Sequence, residues 1–228
     1  DSLNKAASCM WHDSFSLFKR VPNAHAKHGS NQDTFMPNST YGKSSKDLFI
    51  FCGQLIGLSI RTKGYNEVRF PPCFYKLLSG APLDRSDLAT LDFAEYWNDS
   101  NNISATKARR HLSLEQFEAN DGVGYFEVEN IAGKKIELVP GGKRIKVRFE
   151  NLIEFCDLYD NFRLHEFDDA VLAIQIGLAS IVPLKPLRLF TPSEFEELVV
   201  GRAEFDVELW KERTKYSGKW KANSIIAK

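Results

Sequence analysis

The first chemistry to test for in this chain is metal binding. Cys9-x-x-His12 and His25-x-x-His28 make a four-ligand set whose spacing borders on that of zinc sites. Structural zinc sites of this kind usually carry more cysteine. The reading here is therefore a polar loop that contains histidines, with Trp11 and Phe15 on the core, and no metal is expected. Nucleophilic chemistry finds no footing, since there is neither a Gly-x-Ser-x-Gly elbow nor a His-Glu-x-x-His pair. Gly122-x-Gly124 lacks the third glycine of a dinucleotide loop and opens a strand. Gly141-Gly142 reads as a turn, with no Gly-Lys-Ser/Thr behind it to cradle phosphate. The acid pairs Asp157/Asp160 and Glu196/Glu197 fall on the polar sides of helical patterns and read as solvated faces. Lys107-Ala108-Arg109-Arg110 and Lys143-Arg144 are short basic runs without interleaved aromatics, an exposed linker and a hairpin tip rather than a nucleic-acid footprint. The cysteines at 9, 52, 73 and 156 form no Cys-x-x-Cys, and Cys52 and Cys156 sit inside apolar helical patterns. Buried free thiols in a reducing compartment account for them. These residues describe an interaction module, with no cofactor expected.

The composition agrees. Hydrophobic residues make up 43% and charged residues 26% of 228, which excludes a mainly disordered, collagen-like or low-complexity chain. The 17 Phe imply large rings buried in a core or displayed in a groove. Thirty basic residues balance thirty acidic ones, so no global field draws the chain to nucleic acid or an anionic membrane. The longest apolar stretch, Leu48 to Ile60, is too short and too polar to span a bilayer, which needs roughly 20 apolar residues. The N-terminus has no signal-peptide h-region, and because it starts at Asp1 rather than Met, further residues are expected before it. Sequons at Asn38, Asn98 and Asn102 carry no weight without another sign of secretion. A cytoplasmic location is expected, with the nucleus as a second.

The elements that must position any site follow from periodicity. The first 46 residues are polar and read as loop. Asp47 can cap a helix from Leu48 to about Ile60, apolar nearly all round, with Gly53 and Gly57 on one face to admit a close neighbour. Pro71-Pro72 opens a helix through Leu78 that Gly80 closes, and Asp84 with Asp87 caps a short one around Leu88 and Leu91. Residues 98–110 read as a linker. Alternation at 126–129, 136–139 and 143–147, with turns at Gly133 and Pro140-Gly141-Gly142, predicts a three-stranded antiparallel meander. Leu152, Phe155, Cys156, Tyr159 and Phe162 then form one helical stripe. A further helix starts at Asp168-Asp169 and carries Val171, Leu172, Ile174, Ile176 and Leu178. Thr191-Pro192-Ser193-Glu194 is a capping box for a helix ended by Gly201, and Asp206 caps a last one. The fold class is α+β, mostly helical, with one small sheet in the middle.

Several of these segments carry a family likeness. Phe51-Cys52-Gly53-Gln54-Leu55-Ile56-Gly57-Leu58-Ser59-Ile60-Arg61-Thr62-Lys63 resembles the F-x-G-x-L-[IM]-G-x-[AS]-I-R-T-K stretch of HECT-type ubiquitin ligases, the HERC-like ones especially. Arg69 to Lys76 is similar to the F-P-p-x-x-[YW]-K that follows it there. Asn151 to Tyr159 resembles N-x-x-x-[FY]-x-x-L-Y, and Gly177 to Pro183 resembles G-[FL]-x-x-[VI]-[IV]-P. Leu189 to Gly201 looks like l-F-[ST]-p-x-E-[LF]-E-x-L-[IV]-x-G, continued by Asp206 to Lys211. The blocks stand in the family's order, over residues 11 to about 220.

The resemblance implies the larger, N-terminal lobe of a two-lobed ubiquitin-transferring domain. It implies a large subdomain in 1–106 and 186–228, with a small subdomain at 107–185 inserted between them to bind a ubiquitin-conjugating enzyme. The family's thioester cysteine belongs to a C-lobe, in a T-C-F/h-N context with no counterpart here, so this chain alone is expected to be inactive. Phe155 and Tyr159 fall at the family's two groove positions for a Phe-bearing loop of the conjugating enzyme. Leu112, Leu114, Phe117 and Tyr125 fall where it supplies further apolar contacts. Ubiquitin is the other implied partner, and substrate proteins would be held by regions outside this chain. The alternative is a non-catalytic helical interaction module that uses the same aromatic groove.

Overall fold

Two helices that touch backbone to backbone organise this protein. In the computed structural model, residues 16–27, 29–40, 45–63, 68–91, 109–119, 124–201 and 207–214 are described. In chain order the elements are β1 (Phe18–Arg20), α1 (Pro22–Ala26), β2 (Phe35–Pro37), α2 (Lys46–Thr62), α3 (Pro72–Leu78), α4 (Leu88–Leu91) and α5 (Leu114–Glu118). They continue with β3 (Glu127–Glu129), β4 (Lys135–Glu137), α6 (Leu152–His165), α7 (Asp168–Ala179), α8 (Leu184–Leu187), α9 (Pro192–Val200) and α10 (Val207–Arg213). The class is α+β and mostly helical, as expected.

Helix α2 begins at Lys46, with Ser45 at the cap position and no side-chain capping bond. Asp47 therefore sits inside the first turn, where its charge meets the positive end of the helix, rather than at the cap. Its glycines do what their spacing suggests. A Cβ on Gly53 would collide with the Ile174 carbonyl of α7, and one on Gly57 would lie 2.7 Å from Ile181 Cβ. Gly177 on α7 reciprocates, since a Cβ there would collide with the Ile50 carbonyl. Around this contact Phe49, Cys52, Leu55 and Ile56 of α2 are buried with Phe74, Tyr75 and Leu78 of α3, Val171, Ile174 and Leu178 of α7, and Phe195 and Val199 of α9. Many of the phenylalanines are spent here: Phe70 stacks on Phe74 at 4.1 Å, and Phe18 meets Phe49 and Phe70 at 5.9 and 5.6 Å.

The N-terminal loop reading needs correcting. Residues 18–37 hold a short antiparallel ladder, Phe18↔Pro37, Lys19↔Met36 and Arg20↔Phe35, and the helix α1. Strands of three residues show no readable alternation. They form because Leu17, Phe18, Val21 and Met36 are buried against the helical core. The meander is likewise reduced. β3 and β4 pair in the register Glu127↔Glu137, Val128↔Ile136, Glu129↔Lys135, but Lys143-Arg144 lies in a 3₁₀ turn, and the third segment makes one bridge, Tyr125↔Lys146. The cause is Gly142, packed so closely on the Phe126 carbonyl that the chain curls where a strand would need a side chain.

Asp84 and Asp87 do bracket the start of α4, with a changed division of labour. Asp87 accepts from the Asp84 backbone N–H at 2.8 Å, while Asp84 accepts from the N–H and hydroxyl of Ser86. Lys76 reaches both carboxylates, at 3.0 and 2.6 Å. The capping box at Thr191/Glu194 forms as read. The linker expected at 98–110 lies outside the described residues except for Arg109 and Arg110, as do Cys9, Trp11, His12, Phe15, His28, Asn98, Asn102, Gly122 and Asp206.

Two outcomes follow. Gly177→Ala forces two backbones apart and should cost at least about 3 kcal/mol, read as a fall in the denaturation midpoint. The Asp84 carboxyl is held down at about 2, first by the Ser86 hydrogen bond and then by Lys76. A depressed carboxylate stabilises above its ordinary value of about 3.9 and stops doing so as pH falls through the folded value. An NMR titration of Asp84 should accordingly show its midpoint near 2, moved up toward the ordinary value by Lys76→Met.

Candidate functional site

A second apolar cluster lies apart from the large one. Leu152, Phe155, Cys156 and Tyr159 present one stripe of α6, and Phe117, Phe126, Val128 and Val147 close over it from α5 and the hairpin. The helix periodicity at 152–159 puts these four on one side, and the alternation at 126–128 puts Phe126 and Val128 opposite. Helix α5 starts on a capping box: Ser113 Oγ accepts from Gln116 N at 3.2 Å, and Gln116 Oε1 accepts from Ser113 N at 2.9 Å. The Ser-x-x-Gln spacing at 113–116 is the sequence signal for a helix there.

The structure brings four of the six expected contact residues together. Phe155 meets Phe126 edge-on at 5.6 Å and Tyr159 at 6.3 Å; Phe117 belongs to the same cluster, and Leu112 packs against it half-buried. Phe155 and Tyr159 are 3% and 6% exposed, so both rings belong mainly to the core of this small unit. Leu114 and Tyr125, at 48% and 46%, carry the exposed apolar surface. Phe149 and Ile153 are also exposed, with Phe149 meeting Phe117 at 6.0 Å, and periodicity did not single them out. The expected small-subdomain span of 107–185 takes in α7, yet α7 packs on α2 in the large cluster. Between α6 and α7 the chain passes from one cluster to the other, while Ile131 beside the hairpin packs on the large one.

Charged groups frame the cluster. Arg109 lies 6.0 Å over the Phe155 ring, and Arg163 lies 5.5 Å over Tyr159, giving its Nε–H to the Tyr159 hydroxyl at 3.3 Å. Asp160 is buried, not solvated as its spacing suggested; it accepts from Arg110 at 2.7 Å and faces Arg85 at 3.1 Å. Arg110 is consequently half-buried in an ion-pair cluster rather than part of an exposed linker, and it holds the Asp157 carboxyl below its usual range.

Cys52, Cys73 and Cys156 are free and buried, and burial pushes their thiols up to about 12, about 12 and about 11. Among the described residues no group of three or more metal-ligating side chains converges, and His25 is exposed on α1. No described helix is long and apolar enough to cross a membrane. What the site offers is an aromatic floor with an exposed apolar lip. At pH 8 fewer than about one in a hundred of these thiols is ionised. With Cys9 replaced by serine, a disulfide reagent should label none of the three until denaturant is added.

The HECT-domain (ubiquitin-transferase) family model matches residues 4–228. The chain is 31% identical over 207 residues to E3 ubiquitin-protein ligase HERC2 of Mus musculus, covering 90% of this chain and 4% of that protein. It is 28% identical to the probable E3 ubiquitin-protein ligase HECTD4 of Homo sapiens (89% of this chain, 5% of that protein). E3 ubiquitin-protein ligase RSP5 of Chaetomium thermophilum is also 28% identical, with 83% and 22% covered. The chain thus spans a small part of the length of each. With a family model matched along nearly all of its residues, this chain belongs to the HECT-domain (ubiquitin-transferase) family.

Proposed function

We propose that this chain is the N-lobe of a HECT-type E3 ubiquitin-protein ligase and that its small unit docks a ubiquitin-conjugating enzyme. The observation that carries the reading is the aromatic cluster on α6 with Leu114 and Tyr125 exposed beside it. Large rings held rigidly, with apolar side chains left open to solvent, are what an interface needs at its energetic centre. Ubiquitin would pass from the conjugating enzyme to a cysteine of a C-lobe outside this chain, and from there to a substrate lysine. Cys52, Cys73 and Cys156 are poor candidates for that thioester, because each is buried as an un-ionised thiol. The lobe's own contribution would be proximity: it converts a second-order encounter between two thioester partners into a step within one complex. Substrates would be recruited by regions beyond this chain.

The buried rings determine how the reading must be tested. Phe155→Ala would remove a core ring at a cost of about 3 to 5 kcal/mol, so lost binding there could be lost folding. Leu114→Asp and Tyr125→Ala alter exposed side chains and should leave the melting temperature within a degree or two. Titrating the chain with a panel of conjugating enzymes by NMR should give saturable shifts on α5, α6 and the hairpin with micromolar or weaker affinity. Each variant should weaken that binding about tenfold. Shifts absent across the panel, or confined to the α2–α7 unit, would refute the reading.

A further inference from the structure

The two apolar clusters meet at one buried polar junction. Arg163 and Glu166, at the end of α6, pair at 2.7 Å with side chains 10% and 1% exposed. Both side chains of the pair bond further. Glu166 Oε2 takes Arg163 Nη1–H, and Oε1 accepts from the Ile131 backbone N–H at 2.7 Å and from Ser39 Oγ at 2.8 Å. Arg163 Nη2 donates to the Glu129 carbonyl at 2.8 Å and Nε to the Tyr159 hydroxyl at 3.3 Å.

These partners come from three places. Glu129 and Ile131 are the end of β3 and the turn beyond it, and Ile131 packs its side chain on the large cluster. Ser39 follows Asn38, whose N–H donates to the Leu17 carbonyl and whose Nδ2 donates to the Ser16 carbonyl, so Ser39 is anchored to the β1–β2 ladder of the large unit. Tyr159 belongs to the aromatic cluster. One carboxylate thus joins the large unit, the hairpin and, through Arg163, a ring of the candidate docking site.

We infer that Glu166 is a positioning residue: it fixes the hairpin and the Tyr159 ring that underlies the docking surface in one orientation on the large unit. This rests on the docking function proposed above. An ion pair with so many hydrogen bonds exceeds what helix capping at 163–166 requires. Its geometry is directional where the apolar contact of Ile131 is not. A buried carboxylate that has lost a partner is also strongly disfavoured, so intermediate orientations of the hairpin are excluded.

Amide hydrogen exchange on this chain, with the conjugating-enzyme titration beside it, tests the inference. Glu166→Gln keeps the shape but turns an amide toward Arg163. Exchange at Val128, Glu129 and residues 131–137 should rise about tenfold or more, with α2 and α7 unchanged. Ser39→Ala, which removes one hydrogen bond and no charge, should produce the same pattern about threefold. A conjugating enzyme that binds the unsubstituted chain should bind Glu166→Gln about five- to tenfold more weakly. Glu196→Gln, at a surface pair with Arg69, should change neither. Faster exchange throughout α2 and α7, or none at the hairpin, would mean that Glu166 only holds up the fold and would overturn the inference. A loosened hairpin with undiminished affinity would overturn it too. If no enzyme binds the unsubstituted chain, the docking function itself fails, and the positioning role falls with it whatever the exchange pattern.

Discussion

The contact between α2 and α7 is the constraint on which the rest of the structure depends. Gly53 and Gly177 let two backbones meet where side chains would hold them apart, and Gly57 makes room for the Ile181 side chain just past α7. Glycine inside a helix costs about 0.5 to 1 kcal/mol relative to alanine, and at three sites that cost is accepted for one crossing. The close approach brings the helix surfaces together, and Ile174 and Leu178 are buried in one cluster with Cys52 and Ile56. Once α2 and α7 are fixed, α3 and α9 have one apolar trough to fill, and the rings from Phe18 to Phe195 line it.

The small unit is a satellite of that core. Its cluster contains one helix stripe, a two-stranded hairpin and a five-residue helix, too little to fold by itself in most proteins. It persists because α6 runs into α7 through two residues and because polar groups tie its flanks down. At the middle of α6 these are Arg85 and Arg110 on Asp157 and Asp160. Charge is used here where apolar area is scarce, and within the cluster Arg110 and Asp160 are buried enough for bond geometry to decide orientation while Arg85 and Asp157 face solvent.

How much of this could be read from residues alone divides along physical lines. The helices were legible because α2 is a long apolar run, α6 carries a periodic stripe, and α3 and α9 have sharp punctuation at Pro72, Thr191 and Gly201. The glycine crossing was legible in outline, since Gly53 and Gly57 are four apart, although Gly177 gave no sign of being its partner. The short ladder at 18–37 and the curl at Gly142 were not, because tertiary contact rather than local pattern forms them. In the site, the stripe Leu152-Phe155-Cys156-Tyr159 was visible, but periodicity tells which side of a helix is apolar and not whether that side is covered. Leu114 and Tyr125 were marked through family likeness alone. Asp160 and Glu166 were invisible as buried groups: an acid on a helix reads as solvated unless one knows which arginine the fold brings to it.

The turn between α6 and α7 has no slack. Glu166 is spent on Arg163, Ser39 and Ile131, and Phe167 is buried in the large cluster. One residue added there would turn α7 by about 100° relative to α6 and swing Gly177 off α2. The two helices are therefore phase-locked, and their lengths cannot drift independently in descendants of this chain. Diversity in what the small unit grips has to arise by exchanging side chains on its rim, at positions such as Leu114 and Tyr125, while the spacing beneath them stays frozen.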